Sequence, residues 1–202
     1  MGTRNLTVVI CDSQVKIAQY GQWDGYLDGA GRSIAAFFEK TIANKPVNMK
    51  KFMVRVRRCK FIDEAKLEEI NTNFGAHNGM ISLDNSNRLK EQYPTYDRGM
   101  GCDVLEYVYD HKDKEIWLLN SYSFGEESLF CEYAYVIDLD RGIIEIYRGF
   151  NKRPMKKTDR WYSETPDGEY YGVTLWQTIP LKEFTDAKID ELVAMESSED
   201  DE

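Results

Sequence analysis

Between Asn5 and Tyr20 the chain runs apolar, turns polar and runs apolar again. Leu6, Thr7, Val8, Val9 and Ile10 form a β-branched stretch, Cys11-Asp12-Ser13-Gln14 supplies turn residues, and Val15 to Tyr20 alternates. Two β-compatible runs around a short polar segment predict a hairpin. Glycines then crowd Gly21 to Gly31. From Arg32 to Ala43 the apolar residues Ile34, Ala35, Phe37, Phe38 and Ile42 recur at helical spacing, and Asn44-Lys45-Pro46 ends that helix. Asn48 to Arg58 sets Met49, Phe52, Met53 and Val56 on one side and bases on the other. This favours a second helix, with the β-branched Val54 and Val56 keeping a strand as the alternative. Asp63 to Asn73 predicts a third helix opened by Asp63, and Asn73 to Asn87 reads as a polar loop.

The second half is dominated by strands. Met100, Val104, Leu105, Tyr107 and Val108 predict a helix within Pro94 to Asp110, starting near Arg98 to Gly101. Lys114 to Ser123, Leu129 to Leu139, Ile143 to Phe150 and Tyr170 to Ile179 each read as a strand. Asp138-Leu139-Asp140-Arg141-Gly142 joins the middle two, and its glycine admits the positive φ of a tight return. Pro180 to Met195 predicts a closing helix. Strands and helices come in blocks, which favours an α+β fold over a doubly wound sheet. The expected architecture is a single α+β domain over residues 1–195: an N-terminal β-hairpin, helices, an antiparallel β-meander and a C-terminal helix. The acidic stretch 196–202 is expected to be a disordered tail, because it lacks apolar groups to bury.

Length adds one constraint and charge adds another. At 202 residues the chain can bury a full core without disulfides or metals. The formal net charge is −9, and five of the excess acids lie between Glu196 and Glu202. One basic run stands out, Lys50-Lys51 through Arg55, Arg57, Arg58 and Lys60, and a solvated helix face accounts for it. General nucleic-acid binding is therefore excluded, since it rests on clustered cations that displace counterions. Cys11, Cys59, Cys102 and Cys131 form no C-x-x-C pair, and His77 and His111 are the only histidines. No zinc spacing results, and no metal or cofactor is expected. The segment Met1 to Thr7 lacks an apolar leader, and no apolar run approaches the ~18 residues of a membrane span. With unpaired cysteines, this sets the expectation of a cytoplasmic protein without membrane contact.

Two segments could carry chemistry. Tyr20-Gly21-Gln22-Trp23-Asp24-Gly25-Tyr26, continuing to Asp28-Gly29-Ala30-Gly31, combines glycines with aromatic rings, an amide and two carboxylates between a strand and a helix. Tyr20, Trp23 and Tyr26 offer faces for stacking, and Gln22 and Asp24 offer directional hydrogen bonds. Flexible backbone there could turn N–H groups toward a ligand at the helix start. The segment matches neither a phosphate-binding P-loop nor a dinucleotide fingerprint. The alternative is a structural corner, with Trp23 plugging the core edge and Asp24 tying the turn. The second segment is Arg98-Gly99-Met100-Gly101-Cys102, where Arg98 and a helix start would hold an anion; a helix capped by Asp97 explains it equally. Cys131 lies within a predicted strand and reads as a small hydrophobe, and His77 as a loop residue. Asp138 and Asp140 read as turn residues.

The stretch Val15 to Gly31, with Ala18-Gln19-Tyr20-Gly21-Gln22-Trp23-Asp24-Gly25-Tyr26, resembles the opening motif of a protein family found in phages, bacteria and some fungi. Arg98 to Leu105 and Ser128 to Asp140 are similar to the same family, so the likeness spans about residues 5 to 150. The chain departs from that pattern at Leu27, where the family tends to carry proline, and at Gly99, where it tends to carry aspartate. The resemblance implies one domain and draws attention to the first loop; it implies no reaction. Two functions are expected to compete. One is a non-catalytic binding protein, encoded by a phage and inhibiting a host or defence protein. The other is a small-ligand protein or hydrolase, for a nucleotide-like and anionic ligand, built on Tyr20 to Gly31. The strand–strand–helix opening distantly resembles N-terminal-nucleophile hydrolases, but removal of Met1 would expose Gly2 rather than a nucleophile.

Overall fold

The structure is a computed structural model that describes residues 2–42, 46–75, 81–164, 166 and 168–200. Strands β1 (Asn5–Cys11) and β2 (Gln14–Gly21) pair antiparallel from Cys11↔Gln14 to Asn5↔Gly21, so the return takes only Asp12 and Ser13. Both sit at positive φ, 54° and 58°, in the mirror-image turn that matches hairpin twist. Left-handed backbone is unfavourable for residues other than glycine. Here it is compensated: the Asp140 carboxylate accepts from the N–H of Asp12 at 2.9 Å and of Ser13 at 2.7 Å. Arg57 donates to both Asp12 oxygens at 2.8 and 3.0 Å. Cys11, Asp12 and Asp140 bring their possible ligand atoms within 4.8 Å of one another. These turn and guanidinium bonds account for that cluster without an ion.

After β2 come α1 (Arg32–Phe37), extended by a π-type turn to Ile42, then α2 (Pro46–Val56) and the short β3 (Cys59–Phe61). Then follow α3 (Glu64–Asn73), α4 (Leu83–Gln92), α5 (Val104–Asp110) and β4 (Ile116–Leu118). Strands β5 (Tyr133–Asp138), β6 (Ile143–Arg148) and β7 (Thr174–Pro180) and helix α6 (Asp186–Asp200) complete the chain. The main sheet runs β2-β1-β5-β6-β7, with β1 parallel to β5 and the other pairs antiparallel; β3 and β4 form a separate parallel pair. The expected α+β domain, opening hairpin, meander and closing helix are all present.

Both faces of the sheet are covered, which is why β1 reads as a continuous apolar run rather than an alternating one. Val9, Ile17, Tyr135, Ile137, Ile144 and Ile146 face a core shared with α1, α2, α5 and α6. Leu6, Val8, Ala18, Ala134, Val136 and Tyr147 face a second cluster centred on Trp161. Trp161 is 2% exposed, and its indole N–H donates to the Tyr122 carbonyl at 2.9 Å. A Cβ on Gly125 would lie 2.4 Å from the indole, so the loop after β4 is shaped around that ring.

On the same face of β6 as Tyr147 sits a buried carboxylate. Glu145 accepts from Arg160 at 2.6 Å, from the Tyr147 hydroxyl at 2.9 Å and from Arg141 at 3.0 Å. Burial alone would push this carboxyl up, but the bonds and charge of Arg160, with those of Tyr147 and Arg141, hold it below the usual range.

Several expectations are corrected. The segment expected to be a loop up to Asn87 contains the start of α4, whose cap Ser82 accepts from the Asn85 N–H at 3.3 Å. Its helix has no buried residue and so leaves no apolar period to read; residues 76–80 of that segment lie outside the described ones. Cys59 to Phe61 form a strand where only a basic run was noted. The strand expected over Leu129 to Leu139 begins at Tyr133, because Phe130 and Cys131 bond back to Glu127 in a turn. Of the expected disordered tail 196–202, residues 196–200 are helical, and 201–202 lie outside the described residues. Arg148 explains it, lying 2.8 Å from Glu196 and 2.6 Å from Glu199 at a helix end where acids are otherwise unfavourable.

Replacing Trp161 by Ala is expected to lower stability by about 3–5 kcal/mol, read by urea or thermal unfolding. Glu145→Gln is expected to cost about 3 kcal/mol at neutral pH. Because the Glu145 pKa is depressed in the fold, its contribution is complete above the ordinary carboxylate range and is lost as pH falls through the depressed value. The gap between wild type and variant should therefore close in acid. A gap that is constant from neutral to strongly acidic pH would contradict this assignment.

Candidate functional site

The chain leaves β2 at Gly21 and is immediately held. The Gln22 N–H donates to the Arg98 carbonyl at 2.8 Å, and the Gly25 N–H to the Thr3 carbonyl at 2.9 Å. The buried Tyr135 hydroxyl donates to the Gly25 carbonyl at 2.9 Å. Asp24 has φ 53°, and its carbonyl accepts from the Ala30 N–H at 2.7 Å. A Cβ on Gly29 would lie 2.2 Å from that carbonyl, so glycine is required for this close approach. The N–H groups of Gly29 and Gly31 both donate to the Tyr26 carbonyl. The expected flexible N–H cradle is thus corrected: these donors bond to the protein's own carbonyls within a rigid corner.

The second glycine-bearing segment lies against the first. The Asp97 carboxylate accepts from the Gly99 N–H at 2.8 Å, a local turn rather than a helix cap, and a one-turn 3₁₀ segment at Gly101–Asp103 leads into α5. Gly101 is at φ 44°. A Cβ on Gly21 would come 2.9 Å from the Gly101 Cα and 2.7 Å from Asn5 Oδ1. Asn5, at the start of β1, is 1% exposed; its Nδ2 donates to the Trp23 carbonyl at 3.0 Å, and its Oδ1 has no hydrogen-bond partner.

Above this contact opens a cleft of about 740 Å³. Trp23, Asp24, Tyr26 and Asp28 line it from the first loop, and Met100 and Asp103 from the second, with Asn5 also in its lining. Trp23 is 58% exposed and Tyr26 50%, so the indole does not plug the core. Asp24, Asp28 and Asp103 have no ion-pair partner among the described residues. Arg32, the lining base, is engaged by Asp186 and, at 2.8 Å, by Asp190. Burial, and then the charge of Glu106, raise the Asp103 carboxyl above its ordinary value. Burial, helped by Asp103, pushes the Cys102 thiol up to about 11, so it stays protonated at neutral pH.

Of the residues expected to form a site, Trp23, Asp24 and Tyr26 line the cleft. Tyr20 and Gln22 pair with each other instead, hydroxyl to Oε1 at 2.6 Å, and the Tyr20 ring meets Phe124 edge-on at 4.9 Å. Arg98 contributes its carbonyl to the joint between the loops, while its side chain is outside the lining. Cys131 is fully buried, its thiol pushed up by burial and bonded to the Tyr133 carbonyl. His111 lies 2.9 Å from Asp113, and His77 is outside the described residues. The basic run is largely engaged within the chain: Arg57 with Asp12, Lys60 with Glu115, and Lys51 over the Tyr109 ring. Sequence reasoning missed Asn5 and Asp103. Asn5, a polar residue opening an apolar strand, was the available signal.

Comparison of the chain with protein-family models, with curated proteins and with solved structures gives no match.

Gly21→Ala is expected to force the two loops apart and to cost about 1–3 kcal/mol. Hydrogen exchange should show the loss concentrated in the amides of Gln22 and Gly25. Protection unchanged at those amides would mean that the loops are not held by this contact.

Proposed function

We propose that this protein is a binding protein that captures a basic segment of a partner protein in the cleft between residues 23–28 and 99–103. The observation that carries this reading is three carboxylates without cationic partners among the described residues, beside two exposed aromatic rings. A lysine or arginine entering there would pair with Asp24, Asp28 or Asp103 and lie over the face of Trp23 or Tyr26. The protonated state of Cys102 supports binding rather than nucleophilic chemistry at this place. A nucleotide phosphate, by contrast, would meet the carboxylates with Arg32 already engaged. A second reading, a small cationic ligand, is favoured by the unpartnered Asn5 Oδ1, which a ligand N–H would satisfy.

The test is binding of arginine- and lysine-rich peptides against acidic and neutral controls. The variant is Trp23→Ala with Asp24→Asn, since Asn tolerates the left-handed backbone at position 24. Basic peptides should bind in a salt-sensitive manner, and the double variant should weaken them by at least about thirtyfold while its unfolding curve stays unchanged. Equal binding of acidic peptides would sink the proposal. A small amine that raises the melting temperature, without any peptide binding, would select the second reading.

A further inference from the structure

The carboxylate-lined cleft has a counterpart of opposite charge with which it shares no lining residue. A larger cleft, of about 1280 Å³, lies along β6 and the start of β7 under the segment that follows Arg148. Six basic side chains line it (Arg141, Arg148, Lys152, Arg153, Lys156 and Arg160) against three acids. Each of those acids is already engaged. Glu145 is held by Arg141 and Arg160, and Glu199 by Arg148 and, at 3.3 Å, by the Trp176 indole N–H. Asp159 accepts from the Lys156 backbone N–H at 2.7 Å. Arg153 and Lys156 have no carboxylate partner for their side chains among the described residues. In a chain of net charge −9, this concentration of unopposed positive charge needs an explanation.

The same cleft presents an aromatic ring in an unusual way. Phe150 is 55% exposed and has φ 54°, a backbone region that disfavours any residue but glycine. Buried Asn151 holds it there. The Asn151 N–H donates to Ser128 Oγ at 3.0 Å, its Nδ2 donates to the Gly172 carbonyl at 3.1 Å, and its Oδ1 accepts from the Arg153 N–H at 3.0 Å. The Phe150 N–H donates to the Ser128 carbonyl at 2.8 Å. A buried polar lock thus displays an apolar ring to solvent at the edge of a cationic cleft, and the bond from the Arg153 N–H to Asn151 Oδ1 sets the backbone of Arg153. The tryptophan of the cleft, Trp176, already has one face covered by Arg148, whose guanidinium carbon is 3.6 Å from the ring centre.

We propose that this cleft binds a nucleotide: Phe150 stacks on the base, and Arg153 and Lys156 take the phosphates. An exposed ring is sequence-tolerant toward planar groups and gains by stacking, and free cations at its side select a planar group that carries phosphate. The site goes beyond the peptide cleft and does not depend on it.

Isothermal titration of the full chain with ATP, adenosine and inorganic tripolyphosphate tests the assignment. ATP should bind at least about tenfold more tightly than either fragment, and its affinity should fall with added salt. Arg153→Ala with Lys156→Ala should weaken ATP and tripolyphosphate by about tenfold or more. Phe150→Gly, which suits the positive φ, should weaken ATP about fivefold and leave tripolyphosphate unchanged. Trp23→Ala should affect none of them. No heat with ATP at millimolar concentration would overturn the proposal. So would equal affinity for ATP and tripolyphosphate with Phe150→Gly silent, or tighter binding of a phosphopeptide than of ATP.

Discussion

The rest of the molecule depends on the insertion of β1 between β2 and β5. One neighbour is local, the other is a parallel partner from the far half of the chain, and the strand is buried almost throughout. Closing so long a loop carries an entropic cost that local turns do not, and apolar burial on both faces must offset it. Leu6 and Val8 supply one face, and Val9 and Cys11 the other. The peptide cleft hangs from the same pairing. Thr3, just before β1, and Asn5, its first residue, hold Gly25 and Trp23, while Tyr135 on β5 holds the Gly25 carbonyl. A shift of β1 against β5 would move both anchors relative to each other, so the loop cannot be repositioned without breaking the centre of the sheet.

This division explains what was legible in the residues. The two hairpins were, because their turns carry local chemistry: Asp12-Ser13 for one and Gly142 for the other. The early helices were legible from apolar spacing, and the β-meander from its β-branched runs. The parallel pairing was not, since nothing local in Leu6 to Ile10 names its partner. Helix α4 was missed because its residues bury nothing, and the helical tail because its partner, Arg148, lies on a distant strand. For the peptide cleft, Trp23, Asp24 and Tyr26 were legible as rings and a carboxylate among glycines. Asp103 and Asn5 were not, because only the tertiary contact of Gly21 with Gly101 brings them there.

Charge shows the same separation between composition and placement. The run from Lys50 to Lys60 looked like the basic feature of the sequence, yet Arg57 and Lys60 are neutralised within the chain. Among the described residues, the bases of the second cleft without a carboxylate partner are Arg153 and Lys156, which no run announces. Acids without an ion-pair partner among the described residues line the other cleft at Asp24, Asp28 and Asp103. Within a chain of net charge −9 the two clefts carry locally opposite fields, and a partner meets the local field before the total.

Backbone strain separates the same way. Among the described residues, four other than glycine have positive φ: Asp12, Ser13, Asp24 and Phe150. The first two make a hairpin turn, and Asp140 and Arg57 stabilise it in full view. The other two belong to no hairpin. Each is exposed, each is fixed by bonds from buried neighbours, and each lines one of the two clefts. Strain that a fold does not need for its turns persists only where surrounding structure over-determines it. In this protein it is confined to the two positions that present a carboxylate to one cleft and an aromatic ring to the other.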